Sequence, residues 1–510
     1  MSDSKPRKRG GRRSPRVSGA LPQRPFRQSR NPYAPIEVIS ADQVNAIHQA
    51  ALTLLRDTGM RVLSEPARAL FAKAGATVAN NRVRFDPDMV MEHLRTVPSE
   101  FTLDARNPAH NLRLGGNHMV YAAVGGPAYV MDNDNGRRGG TYAEMCNYMK
   151  LTQQLNVVHQ EGGGPFEPMD LPAHTRHLDI CYAQITLLDK SWQTQTLGFE
   201  RTMDCMNMAA ISLGIDVEDF KDRPTLLGII NTNSPLQLDV PMSEGLIAMA
   251  EYGQVVAITP FTLAGAMSPV TLAGALMQQH AEAMVGIILT QIVRPGVPVM
   301  YGGFTSNVDM KTGSPAFGTP EYTKAAQASG QLARLIDVPF RSSNVTAAND
   351  VDFQAAYESQ MAIWGALMGG AHLLNHAAGW MHGGLTASFE KLILDAEMLQ
   401  MMDAYFEPLS VDVETLAVEA VDQVGPGGHF FGSDHTMSRY ESAFHAPMIS
   451  NWESHETWLK NGSVQAPERA NKVWKTLLKT YQQPAMDPAV NEALLAYMER
   501  RKAEGGAPMN

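Results

Sequence analysis

The side chains best placed to bind or react follow short apolar runs, and few of them are charged. Aromatic rings, amides, one Arg, one His and one acid make up the set: Phe199, Phe261, Tyr301, Phe304, Trp380, Asn231, Asn349, Arg341, His376 and Glu161. The set lacks paired carboxylates, which acid–base hydrolysis commonly uses. It is therefore suited to holding and orienting a ligand more than to proton transfer.

Metal-dependent and nucleotide chemistry have little support in this sequence. It contains no H-E-x-x-H motif, phosphate-binding loop, G-x-S-x-G elbow or EF-hand loop. His174 and His177 have an i, i+3 spacing that could place both on one helix face, with Glu161 upstream, but a polar helix start explains them equally. Three widely spaced cysteines form neither a disulfide framework nor a zinc site, and they fit a reducing, cytoplasmic compartment. We expect no bound metal.

Eight strand-like runs alternate with eight helical stretches after residue 118. The predicted strands are Met119–Val124, Val157–Gln160, Trp192–Thr196, Thr225–Asn231, Val255–Thr259, Val297–Gly302, Val338–Ser343 and His372–His376. The predicted helices are 141–155, 173–188, 200–213, 243–253, 271–293, 320–336, 352–369 and 387–402. This alternation favours a closed (β/α)8 TIM barrel, whose active site lies where the strands end. An open doubly wound sheet is the alternative, although no G-x-G-x-x-G follows the first strand.

The rest of the chain is predicted to surround this barrel. We expect a basic, solvated arm at 1–30, a mostly helical cap layer at 31–117, the barrel at 118–416 and a C-terminal extension packed on it at 417–510. The arm has ten Lys or Arg and one acid. Such arms can bind nucleic acid or a membrane surface, or dock to a protein; we expect no membrane partner, and nucleic acid is the less expected partner. No apolar run is long enough to span a bilayer.

Five segments carry a resemblance to a known family. They read FRQSRNPY from Phe26, TPFTLAG from Thr259, MYGG from Met300, DFQAAYE from Asp352 and VGPGGHF from Val424. In this order and spacing they resemble the trimethylamine methyltransferase family, the MttB-like proteins, over nearly the whole chain. The resemblance implies a TIM barrel that moves a methyl group from a methylated amine to the Co(I) corrinoid of a separate small protein.

One departure from the family pattern narrows the expected substrate. The trimethylamine enzymes carry pyrrolysine just before the D-x-Q-x-x-Y-E segment, where counting back from Asp352 places Asn349. The chain therefore resembles the branch without pyrrolysine, whose substrates are quaternary amines such as glycine betaine. The segment HTMSRYESAFHAP from His435 also departs from the family pattern.

A quaternary ammonium suits a site without acid–base pairs, because the group displaced from it is a neutral tertiary amine. Such a cation must be held in line with the attacking cobalt, and aromatic faces hold it. The predicted wall is Phe199, Phe261, Phe304, Tyr301 and Trp380, with Glu161 and Asn231 as further substrate contacts. A betaine carboxylate would need a donor such as His376, Arg341 or Asn349, and we expect His376 and Asn349 to act closest to the reaction.

The cofactor and the assembly follow from the same resemblance. The D-x-H-x-x-G signature of cobalamin domains is absent, so we expect a corrinoid carried by a partner protein and none bound tightly here; we also expect a homo-oligomer. Two alternatives stay open. One is a TIM-barrel lyase or isomerase, which would need a Schiff-base Lys or a carboxylate–metal set. The other is a non-catalytic protein that binds a betaine or associates with nucleic acid.

Overall fold

Eight parallel strands form a closed barrel in the computed structural model, which describes residues 21–508. The strands are β1 (His118–Ala123), β2 (Gln160–Glu161), β3 (Ser191–Thr194), β4 (Leu227–Ile230), β5 (Val255–Ile258), β6 (Val299–Gly302), β7 (Phe340–Ser343) and β8 (Leu373–Ala378). Each pairs with the next, and β8 pairs with β1. This closure confirms the predicted TIM barrel and excludes the open doubly wound sheet.

Within residues 21–508, seven α-helices connect the barrel strands, an eighth follows β8, and three more precede β1. The earlier helices are α1 (Ala41–Asp57), α2 (Glu65–Lys73) and α3 (Pro87–Leu94). The barrel helices are α4 (Tyr142–Gln154), α5 (Arg176–Leu187), α6 (Phe199–Leu213), α7 (Val240–Glu251), α8 (Leu272–Val293), α9 (Pro320–Leu335), α10 (Phe353–Met368) and α11 (Phe389–Tyr405). Helix α7 begins three residues before its predicted start, because Asp239 caps it and Pro241 fits in its first turn.

Helix α8 explains why the barrel carries a cap. It is buried on nearly all sides, as a helix between two layers must be. Its inner side covers β5 and β6, and α1, α2 and α3 cover its outer side. A small sheet of Met60–Val62, Thr77–Ala79 and Arg82–Arg84, joined by Gln237–Leu238, completes this layer. Within residues 21–508, no helix is long and apolar enough to cross a membrane.

The N-terminal end of the barrel is filled with apolar side chains. Val120, Val255 and Leu373 point inward from their strands, and the hairpin Phe101–Leu103 with Leu112–Leu114 adds leucines to the same cluster. A ligand cavity must therefore lie at the other end, where the strands terminate.

The predicted solvated arm is too long, because residues 21–30 pack against the barrel. Arg24 lies 2.8 Å from Glu407, and Arg27 lies 2.8 Å from Asp403. Ser29 also donates to Asp403, and the short strand Ser29–Arg30 pairs with the start of β1. These partners are distant in sequence, which is why charge composition alone suggested solvent. Residues 1–20 of the predicted arm lie outside the described residues.

The C-terminal extension has two parts that differ in packing. Its helices are α12 (Val413–Leu416), α13 (Val418–Val424), α14 (Asp434–Arg439), α15 (His455–Lys460), α16 (Ala466–Thr480) and α17 (Pro488–Ala503). Helix α16 packs on α11 and α4, and α17 packs on α6 and α5. Residues 408–446, by contrast, are mostly exposed.

Candidate active site at the carboxyl ends of the strands

A cavity of about 490 Å³ opens where the barrel strands end. This volume suits a small molecule. Six of the residues predicted for the site line it: Asn231, Phe261, Phe304, Arg341, His376 and Trp380. Among the residues that the structure describes, the lining includes one carboxylate, Glu167, and no lysine. The lining therefore offers neither a Schiff-base nucleophile nor a carboxylate pair.

Aromatic rings form one wall of this cavity. Phe261 and Phe304 open two short parallel strands, Phe261–Ala264 and Phe304–Val308, which continue beyond β5 and β6. Their ring centroids are 5.2 Å apart, and Trp380 meets Phe304 edge to face at 6.4 Å. Buried Phe317 supports Trp380 from behind at 5.2 Å. Such a wall can hold a cation by its ring faces.

Arg341 is a buried cation with no carboxylate partner within residues 21–508. Its residue is 2% exposed, and its Nε and Nη1 atoms have no hydrogen-bond partner within residues 21–508. The guanidinium carbon lies 5.4 Å from the centroid of the Phe304 ring. Burial lowers the pKa of Arg341 to about 10, so it is still charged at neutral pH. An unpaired buried charge is costly, and a bound anion would relieve that cost.

His376 projects from an irregular position in β8. The register of β8 against β1 shifts between Leu374 and Ala378, and His376 itself has a φ of +51°. Bulges of this kind re-aim side chains beside active sites. The imidazole stacks on Trp380 at 5.8 Å. Burial, and secondarily the charge of Arg341, lower the pKa of His376 to about 3, so it is neutral at physiological pH.

A chain of hydrogen-bonded side-chain amides supports His376. These amides were not among the site residues predicted from the sequence. Gln193 donates to Gln160 at 3.0 Å and to Asn375 at 2.7 Å. The Asn375 amide nitrogen in turn lies 3.4 Å from His376 Nε2. Gln193 and Asn375 both line the cavity. Gln193 could have been found from its inward register within β3, whereas its pairing with Asn375 depends on closure of the barrel.

Two predicted site residues are buried away from the cavity. Tyr301 faces the helical layer, where its hydroxyl lies 3.1 Å from Gln279 Nε2 and 3.2 Å from His280 Nδ1. The expectation that Tyr301 lines the aromatic wall is wrong, because side chains alternate along β6 and Met300 takes the inward position. Glu161 accepts from the amides of Gly163 and Gly164 at 3.0 and 2.8 Å, and so holds a loop instead of contacting the cavity.

Two further predicted residues lie outside the cavity lining. Phe199 is 48% exposed at the start of α6. Asn349 is exposed, and its carbonyl accepts from His382 Nε2 at 3.0 Å. Its loop is held from behind by Glu358, which accepts from the amides of Ala347 and Ala348 at 2.8 and 3.2 Å. Asn349, unlike His376, is therefore not among the residues that line the cavity.

The histidines near Glu161 do not converge on a metal position. His177 Nε2 lies 2.8 Å from Asp204, which also accepts from Tyr497 and Arg501 of α17. Burial opposes ionisation of Asp204, but the hydrogen bond from His177 and those from Arg501 and Tyr497 outweigh it and lower the pKa of Asp204. Within residues 21–508, no group of three His, Cys, Asp or Glu is arranged to hold a metal ion.

The mouth of the cavity is edged by backbone. Six glycines line it: Gly125, Gly126, Gly162, Gly163, Gly383 and Gly384. A Cβ on Gly125 would lie 1.8 Å from the carbonyl oxygen of Gly162, and one on Gly384 would lie 2.6 Å from the Trp380 ring. Close packing against Gly162 and Trp380 therefore requires glycine at these two positions.

Comparisons with known proteins show similarity over nearly the whole chain. Residues 5–506 match the family described as trimethylamine methyltransferase (MTTB). The chain is 35% identical over 470 residues to the glycine betaine methyltransferase of Desulfitobacterium hafniense strain Y51, covering 92% of this chain and 98% of that one. It is 26% identical over 477 residues to the trimethylamine methyltransferase MttB of strain DCB-2, covering 92% and 94%. It is 26% identical over 417 residues to the proline betaine:corrinoid methyltransferase of Eubacterium limosum, covering 79% and 84%.

Proposed function

We propose that this chain, which belongs to the trimethylamine methyltransferase family, transfers a methyl group from a quaternary amine bearing a carboxylate to the Co(I) corrinoid of a separate protein. Glycine betaine is the simplest such donor. The observation that carries the proposal is that two features line the same cavity. One is the buried Arg341, whose Nε and Nη1 atoms have no hydrogen-bond partner within residues 21–508, and the other is the aromatic wall of Phe261, Phe304 and Trp380.

The two features match the two ends of a betaine. Arg341 presents a planar donor fork that suits a carboxylate. Neutral His376, next to it, can add one hydrogen bond to the same group. The rings of Phe261, Phe304 and Trp380 can surround the ammonium by their faces, each contributing roughly 0.5–2 kcal/mol according to its desolvation. A donor held at both ends has one fixed orientation, which is what an in-line transfer needs.

For this reaction the protein mainly has to hold the methyl donor in the correct orientation. The bond between nitrogen and methyl breaks with its electron pair on nitrogen, so the leaving group is a neutral tertiary amine. No proton has to be supplied, in keeping with a lining that includes a single carboxylate. The corrinoid supplies the Co(I) nucleophile. Its approach from outside fits the glycine-edged mouth, and a cavity of about 490 Å³ suits the amine alone.

The test combines turnover with a matched pair of ligands. The purified protein, with cob(I)alamin or a corrinoid protein, should consume the Co(I) absorbance when given glycine betaine or a close analogue. Tetramethylammonium, which keeps the cation and lacks the carboxylate, should bind at least tenfold more weakly. Trimethylamine should be inert. Absence of turnover with every N-methylated betaine would refute the proposed reaction.

We further propose a corrinoid protein as the functional partner and the cytoplasm as the site of action. Three free cysteines and a reaction that consumes Co(I) support a reducing compartment. We also propose that the chain works as a homo-oligomer; the support is an apolar surface on its C-terminal extension.

A further inference from the structure

Residues 408–446 expose many large apolar side chains. Ten large apolar side chains in this segment are at least 43% exposed: Leu409, Val411, Val413, Leu416, Val418, Val421, Phe430, Phe431, Met437 and Phe444. Together they present on the order of 1,000 Å². The largest apolar patch of a typical monomer is about 300–600 Å², and a stable interface buries about 800 Å² per partner.

The 408–446 segment has almost no core of its own. Its helices α12, α13 and α14 have four, seven and six residues, too few to be stable without packing. Ala420 is its one buried residue. Apart from Tyr440, its side chains form no hydrogen bond with the remainder of residues 21–508; its ion pair, Arg439 with Glu414, is internal. The segment therefore lacks the packing partner that its composition requires.

The barrel wall carries a second uncovered apolar surface. Phe353, Tyr357 and Met361 follow one another at i, i+4 spacing on α10 and are 82, 46 and 41% exposed. We call these three residues the α10 stripe. The one charged residue of α10, Glu358, is buried. Stripe and segment belong to the same chain, yet neither covers the other.

We propose that the 408–446 segment of one chain packs against the α10 stripe of a second copy of the same chain. Charge disfavours packing of two such segments on each other, because each has six acids and one Arg. The uncharged α10 stripe carries no such penalty. Each copy then offers one surface and receives the other, as assembly between identical chains requires.

The attachment of the segment argues against the corrinoid partner as its occupant. The segment leaves the barrel after Glu407, beside Asp403, and Asp403 contacts Ser29 at the N-terminal end of β1. It returns at Met448, whose amide donates to Glu397 at 2.7 Å. The cavity mouth is at the opposite end of the barrel, and a corrinoid-bearing protein must reach that mouth. The inference does not rest on the proposed methyl transfer.

Mass in solution tests the inference directly. By light scattering the full chain should have at least twice the 55.7 kDa of one copy. The double variant Phe431→Ser, Phe444→Ser should be monomeric and folded, since these side chains are 78 and 87% exposed. Leu495→Ser, a 46% exposed position on α17, is the matched control and should stay assembled.

Oxidation by peroxide tests which surface is covered. Met361 should react several-fold faster in the double variant than in the parent, while Met310, 72% exposed and outside α10, should react equally in both. Equal rates at Met361 would overturn the assignment of the α10 stripe. A monomeric parent, including one that assembles only with a corrinoid protein, would overturn the whole inference, as would a double variant that remains assembled.

Discussion

The two ends of the barrel each bury a basic side chain, and they treat it in opposite ways. At the N-terminal end, Lys190 is 2% exposed and donates to the carbonyls of Thr152, Leu155 and Val158 at 2.8–2.9 Å. At the other end, Arg341 is equally buried, and two of its nitrogens have no partner within residues 21–508.

The difference separates a structural hydrogen-bond donor from a binding charge. Burial lowers the pKa of Lys190 to about 7, and three carbonyls hold its amino group, so Lys190 joins the end of α4 to β3 and has nothing left for a ligand. Arg341 keeps free donors at the cost of burying an unpaired charge, which is the state expected of a receptor for an anion. Burial alone would not have distinguished the two.

The largest expected effect comes from removing the three hydrogen bonds of Lys190 at the N-terminal end of the barrel. Lys190→Met should lower the stability of the fold by about 3 kcal/mol, because three buried carbonyls lose their hydrogen-bond donor. Chemical unfolding measures this shift. Protein that remains folded should bind betaine as the parent does. A variant of parental stability would show that Lys190 is not the structural donor described here.

The matching change at the other end should affect binding instead of folding. Arg341→Met should weaken betaine binding by about 1.5–3 kcal/mol, roughly 10- to 150-fold. Stability should stay level or rise, since an unpaired buried charge disappears. Calorimetry and unfolding of the same sample give both values. Arg341→Lys, which keeps charge without the planar fork, should fall between variant and parent; parental affinity in Arg341→Met would remove Arg341 from the site.

The aromatic wall should contribute less than the anion contact. Phe261→Leu should weaken glycine betaine by about 0.5–2 kcal/mol, because one ring face for the ammonium is lost. The matched ligand is 3,3-dimethylbutyrate, which has the same shape with carbon in place of the cationic nitrogen. Its affinity should change much less. Equal losses for both ligands would mean that Phe261 acts by packing alone.

The smallest effect is an expected absence of pH dependence. Burial holds the pKa of His376 at about 3 and that of Arg341 at about 10. His376 is therefore neutral and Arg341 charged throughout about pH 5 to 9, and the affinity for betaine should be level across that range. Titration calorimetry at half-unit steps measures it. An inflection near pH 6–7 would instead indicate that His376 becomes protonated with the ligand.

The candidate site could be predicted where it depended on local position in a strand. Arg341 and His376 lie in strands whose bounds were predicted within two residues, and both reach the cavity. The prediction that Tyr301 lines the cavity was wrong, because successive side chains along a strand point alternately into and out of the barrel. Asn349 was placed by counting along the chain, and Glu358 holds its loop in a position that counting could not supply.

Strand number, helix order and the family of this chain are determined by the sequence itself, because apolar periodicity and turn residues act over a few neighbouring positions. Only the tertiary structure decided which charges find partners. Arg24 and Arg27 meet Glu407 and Asp403 some 380 residues away, whereas Arg341 meets no carboxylate in the described chain. Such pairings depend on closure of the barrel, which brings distant side chains to within a few ångströms and leaves others facing an empty space.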